Sequence, residues 1–142
     1  MNTQITIAVD GYAACGKSTL AKALAKALNY VYVDSGAMYR AVTLYFLDNN
    51  IDIYNDIEVQ SALQLINIHF EIIDGKNNTF LNGKCVEEQI RTMRVSDFVS
   101  PVATISSVRK AMVALQQKMG EAGGIAMDGR DIGTVVFKNA EL

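Results

Sequence analysis

The spacing of apolar residues along this chain alternates between strand-like and helix-like periods. Residues 4–9 cluster and alternate apolar groups as a buried parallel strand does. Leu20, Leu24 and Leu28 then recur on one helical face, with Lys22 and Lys26 assigned to solvent. Residues 31–33 read as a second short strand. A helix is expected over about 37–47, carrying Tyr39 and Arg40 in its first turn, and a modest one over about 56–65. Ile66, Ile68, Phe70 and Ile72 alternate with Asn67, His69 and Glu71, the pattern of a half-buried strand. Asp74-Gly75 and Asn82-Gly83 are turn signals, the second flanked by short strands at 79–81 and 84–86, so an antiparallel meander is expected. Past Glu87 the pattern is helical, and Pro101 is expected to break or kink the segment 95–103. Ile105, Val108, Met112, Leu115 and Met119 follow at three- and four-residue spacing, the methionines as core fillers. After Gly123-Gly124, residues 125–127 form a third parallel strand that runs into Asp128-Gly129-Arg130-Asp131.

Composition narrows the function classes. The chain has 142 residues, half of them hydrophobic, enough for a core with a small insert rather than disorder. A net charge of −2 provides no global field for nucleic acid or an anionic membrane, so a polyanion must bind locally. No apolar run approaches membrane-spanning length, and the first ten residues lack a signal peptide's basic start and apolar centre, so a cytoplasmic location is expected. Two cysteines, Cys15 and Cys85, make neither a disulfide framework nor a zinc site. Cys15 is either a small loop residue or a thiol made reactive by a helix N-terminus. His69 is the single histidine and reads as a solvent-facing strand residue.

The strongest chemical signal joins the first strand to the first helix. Gly11, Gly16, Lys17 and Ser18 stand in GxxxxGKS spacing, with Tyr12, Ala13, Ala14 and Cys15 between the glycines and Thr19 after them. The glycines let successive backbone N–H groups converge on phosphate oxygens, and the helix dipole points at the same charge. Lys17 reaches the outer phosphates, and the Ser18 hydroxyl suits the coordination shell of Mg²⁺. Asp128, closing an apolar strand, suits the same ion, although an aspartate there also serves as an N-cap. Arg40, Arg109 and Arg130 supply planar forks for a second phosphate, and only as a cluster do they differ from solvated surface charge.

Taken together, the loop 11–19, the segment Asp34-Ser-Gly-Ala-Met-Tyr-Arg40, the meander, Ser100, Val108-Arg109 and Asp128-Gly-Arg-Asp-Ile-Gly-Thr-Val-Val-Phe137 resemble bacterial cytidylate kinase along essentially the whole chain. Tyr12 and Cys15 stand where relatives often carry proline and a smaller residue. The resemblance implies an α/β P-loop NTPase fold of the nucleoside monophosphate kinase type: a parallel sheet in the order 2-3-1-4-5, helices on both faces and a small antiparallel insert. It divides the chain into a core of 1–50 and 103–142 and a nucleoside-monophosphate-binding insert of 51–102. It implies transfer of the γ-phosphoryl of ATP to CMP or dCMP, with Mg²⁺ on the ATP phosphates. Lys17, Asp128 and Arg130 would be catalytic and residues 11–19 would hold ATP. Ser35, Arg40 and Arg130 would face the CMP phosphate, while Ser100, Arg109 and Asp131 would read cytosine. A carboxylate at Asp131 accepts from the 4-amino group of cytosine and repels the carbonyl oxygen of uracil.

The resemblance also implies a fourth core strand, an arginine-rich lid and a last strand and helix after Leu142. The 142 residues are therefore expected to be the N-terminal part of a longer product, monomeric at full length and prone to pair or aggregate through an open strand edge otherwise. Two other readings stay open: a different small-molecule P-loop kinase, and a nucleotide-binding module without turnover. A GTPase switch is disfavoured because the chain carries no NKxD segment.

Overall fold

A computed structural model describes residues 6–10 and 17–129. The chain forms two compact units, Met1–Ser35 with Val113–Leu142, and Gly36–Met112.

The first unit is built on a parallel sheet of β1 (Thr6–Asp10), β2 (Val31–Asp34) and β6 (Ile125–Gly129), with β6 in the middle. Thr6 pairs with Ile125 and Val31 with the same residue on the other side, so the three strands run level to their C-terminal ends. This is the 2-3-1 part of the expected order. Helix α1 (Lys17–Leu28) packs on all three strands. Its buried contacts are alanines: Ala21 is 0% and Ala25 2% exposed, while Leu20 and Leu28 are 52% and 45% exposed. The leucine stripe at four-residue spacing thus corrects to a narrower alanine seam. Without side chains beyond Cβ, α1 lies close to the sheet and shares a core with Ile7, Tyr30, Tyr32 and Ala126, while Leu24 packs at its margin. Lys22 and Lys26 are exposed as expected, and the Lys22 Nζ lies 5.4 Å from the Tyr32 ring centroid.

The second unit holds most of α2 (Ser35–Asp48), then α3 (Asp56–Leu63), the meander β3 (Ile68–Ile73), β4 (Lys76–Leu81) and β5 (Lys84–Cys85), a 3-10 turn at Gln89–Arg91, and α4 (Met93–Ala103). Helix α5 (Ser106–Glu121) begins here and continues into the first unit. Asn55 caps α3 by accepting from the Glu58 N–H, and the Glu58 carboxylate reaches back to the Asp52 N–H. Both hairpin turns place two successive residues at positive φ, Asp74 and Gly75 at 52° and 76°, Asn82 and Gly83 at 51° and 82°. That is the twist a two-residue hairpin requires. Ile68 and Phe70 are buried as the alternation predicts, but Ile72 and Ile73 are exposed because β3 runs on past the unit's core. Pro101 lies inside the last turn of α4, which continues only to Ala103. On α5, Val108 and Met112 are buried, as the helical period requires.

Candidate functional site

In the first unit Asp34, Ser35 and Asp128 stand at the C-terminal ends of the parallel strands, the edge where open α/β sheets bind ligands. Helix α1 opens at Lys17, so Lys17 and Ser18 occupy its first two positions, where backbone N–H groups have no intrahelical acceptor. Gly11, Tyr12, Ala13, Ala14, Cys15 and Gly16 lie outside the described residues, as do Arg130 and Asp131. Thr19 is exposed on the same first turn. Asp128 is 4% exposed near the end of the middle strand, level with Val9 and with Asp34. Its backbone carbonyl accepts a 2.7 Å hydrogen bond from the Ser35 hydroxyl, which ties the start of α2 to β6.

A hydroxyl at Ser18 and a carboxylate at Asp128 are hard oxygen donors of the kind Mg²⁺ takes. Among the described residues no three His, Cys, Asp or Glu side chains converge on one point.

The second unit positions the remaining side chains. Arg40, in the second turn of α2, donates from Nη1 to the carbonyl of Ile90 at 3.2 Å and to the Ser96 hydroxyl at 2.8 Å. Ser100 lies one helical turn beyond Ser96 on α4 and is exposed. Arg109, exposed on α5, is close enough to Tyr39 to act on its phenol. Burial pushes the Tyr39 phenol above its ordinary value, and the Arg109 charge opposes that shift. Tyr39 is therefore a neutral hydroxyl at physiological pH. The fold brings Arg40 onto α4 and Tyr39 beside Arg109, and so links three elements that sequence spacing leaves apart. Ser96 carried no signal of its own, since its partner lies 56 residues away.

His69 and Cys85 lie in the meander. His69 stacks on Phe80 with ring centroids 4.8 Å apart, and its Nε2 meets the Glu71 carboxylate at 2.8 Å. These contacts serve the sheet face. Cys85 is an exposed free thiol 3.7 Å from the Asn78 Oδ1.

Comparison with known proteins decides among nucleotide-binding folds of this kind. The family model described as "Cytidylate kinase" matches residues 7–142. The chain belongs to the cytidylate kinase family. It is 56% identical over 144 residues to the cytidylate kinase of Bacteroides fragilis, covering 98% of this chain and 63% of that relative. It is 54% identical to the cytidylate kinase of Cytophaga hutchinsonii, with 98% of this chain and 60% of the relative covered. For that of Porphyromonas gingivalis the identity is 51%, over 100% of this chain and 64% of the relative. The chain thus spans under two thirds of the length of these cytidylate kinases. The family match takes in the GxxxxGKS loop, Arg40, Ser100, Arg109 and the segment from Asp128 through Asp131. Among the described residues no single helix is long and apolar enough to cross a membrane.

Proposed function

We propose that this chain carries the nucleotide sites of an enzyme that moves the γ-phosphoryl of ATP onto CMP or dCMP, forming ADP and CDP or dCDP. The observation that carries the reading is Asp128, a buried carboxylate closing the middle parallel strand beside the strand that leads into GxxxxGKS. A carboxylate at the end of an apolar strand there supplies the hard oxygen donors that Mg²⁺ takes beside a bound nucleotide.

In this reading the loop amides of 11–16, together with Lys17, hold the ATP phosphates. Ser18 and Asp128 hold Mg²⁺, which neutralises phosphate charge when bound. Arg40 and Arg130 take the acceptor phosphate as planar forks, and Ser35 supplies a hydroxyl beside them. Ser100, Arg109 and Asp131 read the cytosine edge. The insert 51–102, with Ser100, serves the acceptor, and the core segments 1–50 and 103–142 hold the donor and supply the other acceptor residues. Catalysis is positioning and charge neutralisation with no covalent intermediate on the protein. The enzyme works in the cytoplasm on small molecules.

The test is calorimetric titration with CMP, dCMP, UMP and AMP, together with a coupled assay for ADP release in the presence of MgATP. CMP and dCMP are expected to bind at least tenfold more tightly than UMP or AMP, a gap of about 1.4 kcal/mol. Equal binding of all four removes the cytosine assignment.

A further inference from the structure

A guanidinium carries five N–H donors in a fixed plane, two on each Nη and one on Nε. Among the described residues, the two acceptors that Arg40 meets share one nitrogen, Nη1: the Ile90 carbonyl at 3.2 Å and the Ser96 hydroxyl at 2.8 Å. Nη1 carries two hydrogens, so these two contacts use its full donor capacity. Among the described residues, no hydrogen bond is formed by Nε or Nη2 of Arg40. Those two nitrogens form the side of the guanidinium whose parallel N–H bonds match two oxygens of a phosphate or carboxylate.

We infer that Ser96, with the Ile90 carbonyl, is the positioning residue that fixes the plane of Arg40 and leaves its Nε and Nη2 fork directed at the acceptor phosphate. The inference rests on the proposed role of Arg40 and adds what aims it. Arginine side chains lose considerable rotamer freedom when held, and a guanidinium already anchored on one edge loses less when the ligand arrives. The anchor has two parts of different kinds. The Ile90 carbonyl belongs to the backbone of the 3-10 turn, and no side-chain substitution removes it. Ser96 is a side chain on the first turn of α4, and it can be removed. Ile90 is fully buried, so the backbone half of the anchor is rigidly seated.

Ser96 touches Arg40, not the ligand, so its effect on CMP must pass through that arginine. The experiment is a double-mutant cycle of Ser96→Ala and Arg40→Ala in the full chain, read as the dissociation constant for CMP by calorimetry, with the thermal midpoint of each variant measured alongside. Ser96→Ala is expected to weaken CMP three- to tenfold, Arg40→Ala at least as much, and Ser96→Ala in the Arg40→Ala background to add nothing. Ser96→Thr, which keeps the hydroxyl, is expected to bind CMP as the parent does. ATP affinity is expected to be unchanged in all variants.

A loss on Ser96→Ala that persists at the same size without Arg40, or that follows the thermal midpoint and strikes ATP equally, assigns Ser96 a structural role and overturns the inference. Unchanged CMP binding in Ser96→Ala, with Arg40→Ala still impaired, also overturns it and leaves the proposed function standing. Failure of Arg40→Ala to weaken CMP overturns the role of Arg40 and the inference with it.

Discussion

At the scale of single residues, Asp128 and Asp56 show two ways in which a carboxylate is held. Asp128 is buried at the end of a parallel strand, and its removal as a charge tests the proposed ion site directly. Asp128→Asn keeps the shape and is expected to abolish most of the Mg²⁺ dependence of ATP binding, weakening MgATP by about tenfold or more while the fold survives. Titration of ATP with and without Mg²⁺ measures this, and an unchanged Mg²⁺ dependence removes Asp128 from the site. Asp56 is exposed. A hydrogen bond from the Ser107 hydroxyl holds its carboxyl below the ordinary value of 3.8, helped by a second from Gln60. Because the folded value is the lower one, the bond contributes stability above the unfolded value and loses it as pH falls through the folded value. Ser107→Ala is expected to move the Asp56 titration midpoint up toward 3.8, as followed by carboxyl NMR, and to lessen the loss of stability on acidification below that pH.

At the scale of elements, α1 shows how a correct helix can bury an unexpected face. The period finds the helix, and the most hydrophobic stripe is the natural choice for its core side. The sheet instead takes Ala21 and Ala25, because only a side chain that ends at Cβ allows the helix to approach closely. Ala25→Leu is therefore expected to destabilise the protein by about 1–3 kcal/mol through overpacking, whereas Leu28→Ala, about half exposed, is expected to cost less than about 1 kcal/mol. Urea unfolding of the two variants gives the ranking, and a larger cost at Leu28 would place the helix differently. The hairpins behave in the opposite way. Asp74-Gly75 and Asn82-Gly83 were legible because residue type alone permits two successive positive φ angles.

At the scale of the whole molecule, the two compact units carry different parts of the proposed chemistry, the GKS helix start and Asp128 in one, Arg40, Ser100 and Arg109 in the other. The net charge of −2 supplies no long-range pull on an anionic ligand, so each unit must hold phosphate by local donors. Hydrogen exchange separates the two. CMP alone is expected to slow amide exchange most in α2 and α4, and ATP alone most at the start of α1, each by about tenfold or more at a ligand concentration near a hundred times the dissociation constant. CMP protection confined to α1 would overturn the assignment of Arg40 to the acceptor.

The order of the described elements, the meander with its two turns, the GxxxxGKS spacing and the apolar strand that carries Asp128 were all legible in the sequence itself. Each depends on neighbours a few residues apart: a hydrophobic period, a pair of turn residues, or a glycine spacing that lets backbone amides converge. The placement of β6 between β1 and β2 was expected from the family resemblance and not from local pattern, and only the tertiary structure decided the choice of an alanine seam over a leucine stripe and the meeting of Arg40 with Ser96 and the Ile90 carbonyl. Those outcomes join residues 50 to more than 100 positions apart, and depend on how closely two backbones approach and on which acceptor a long side chain can reach. Local pattern carries no record of either distance.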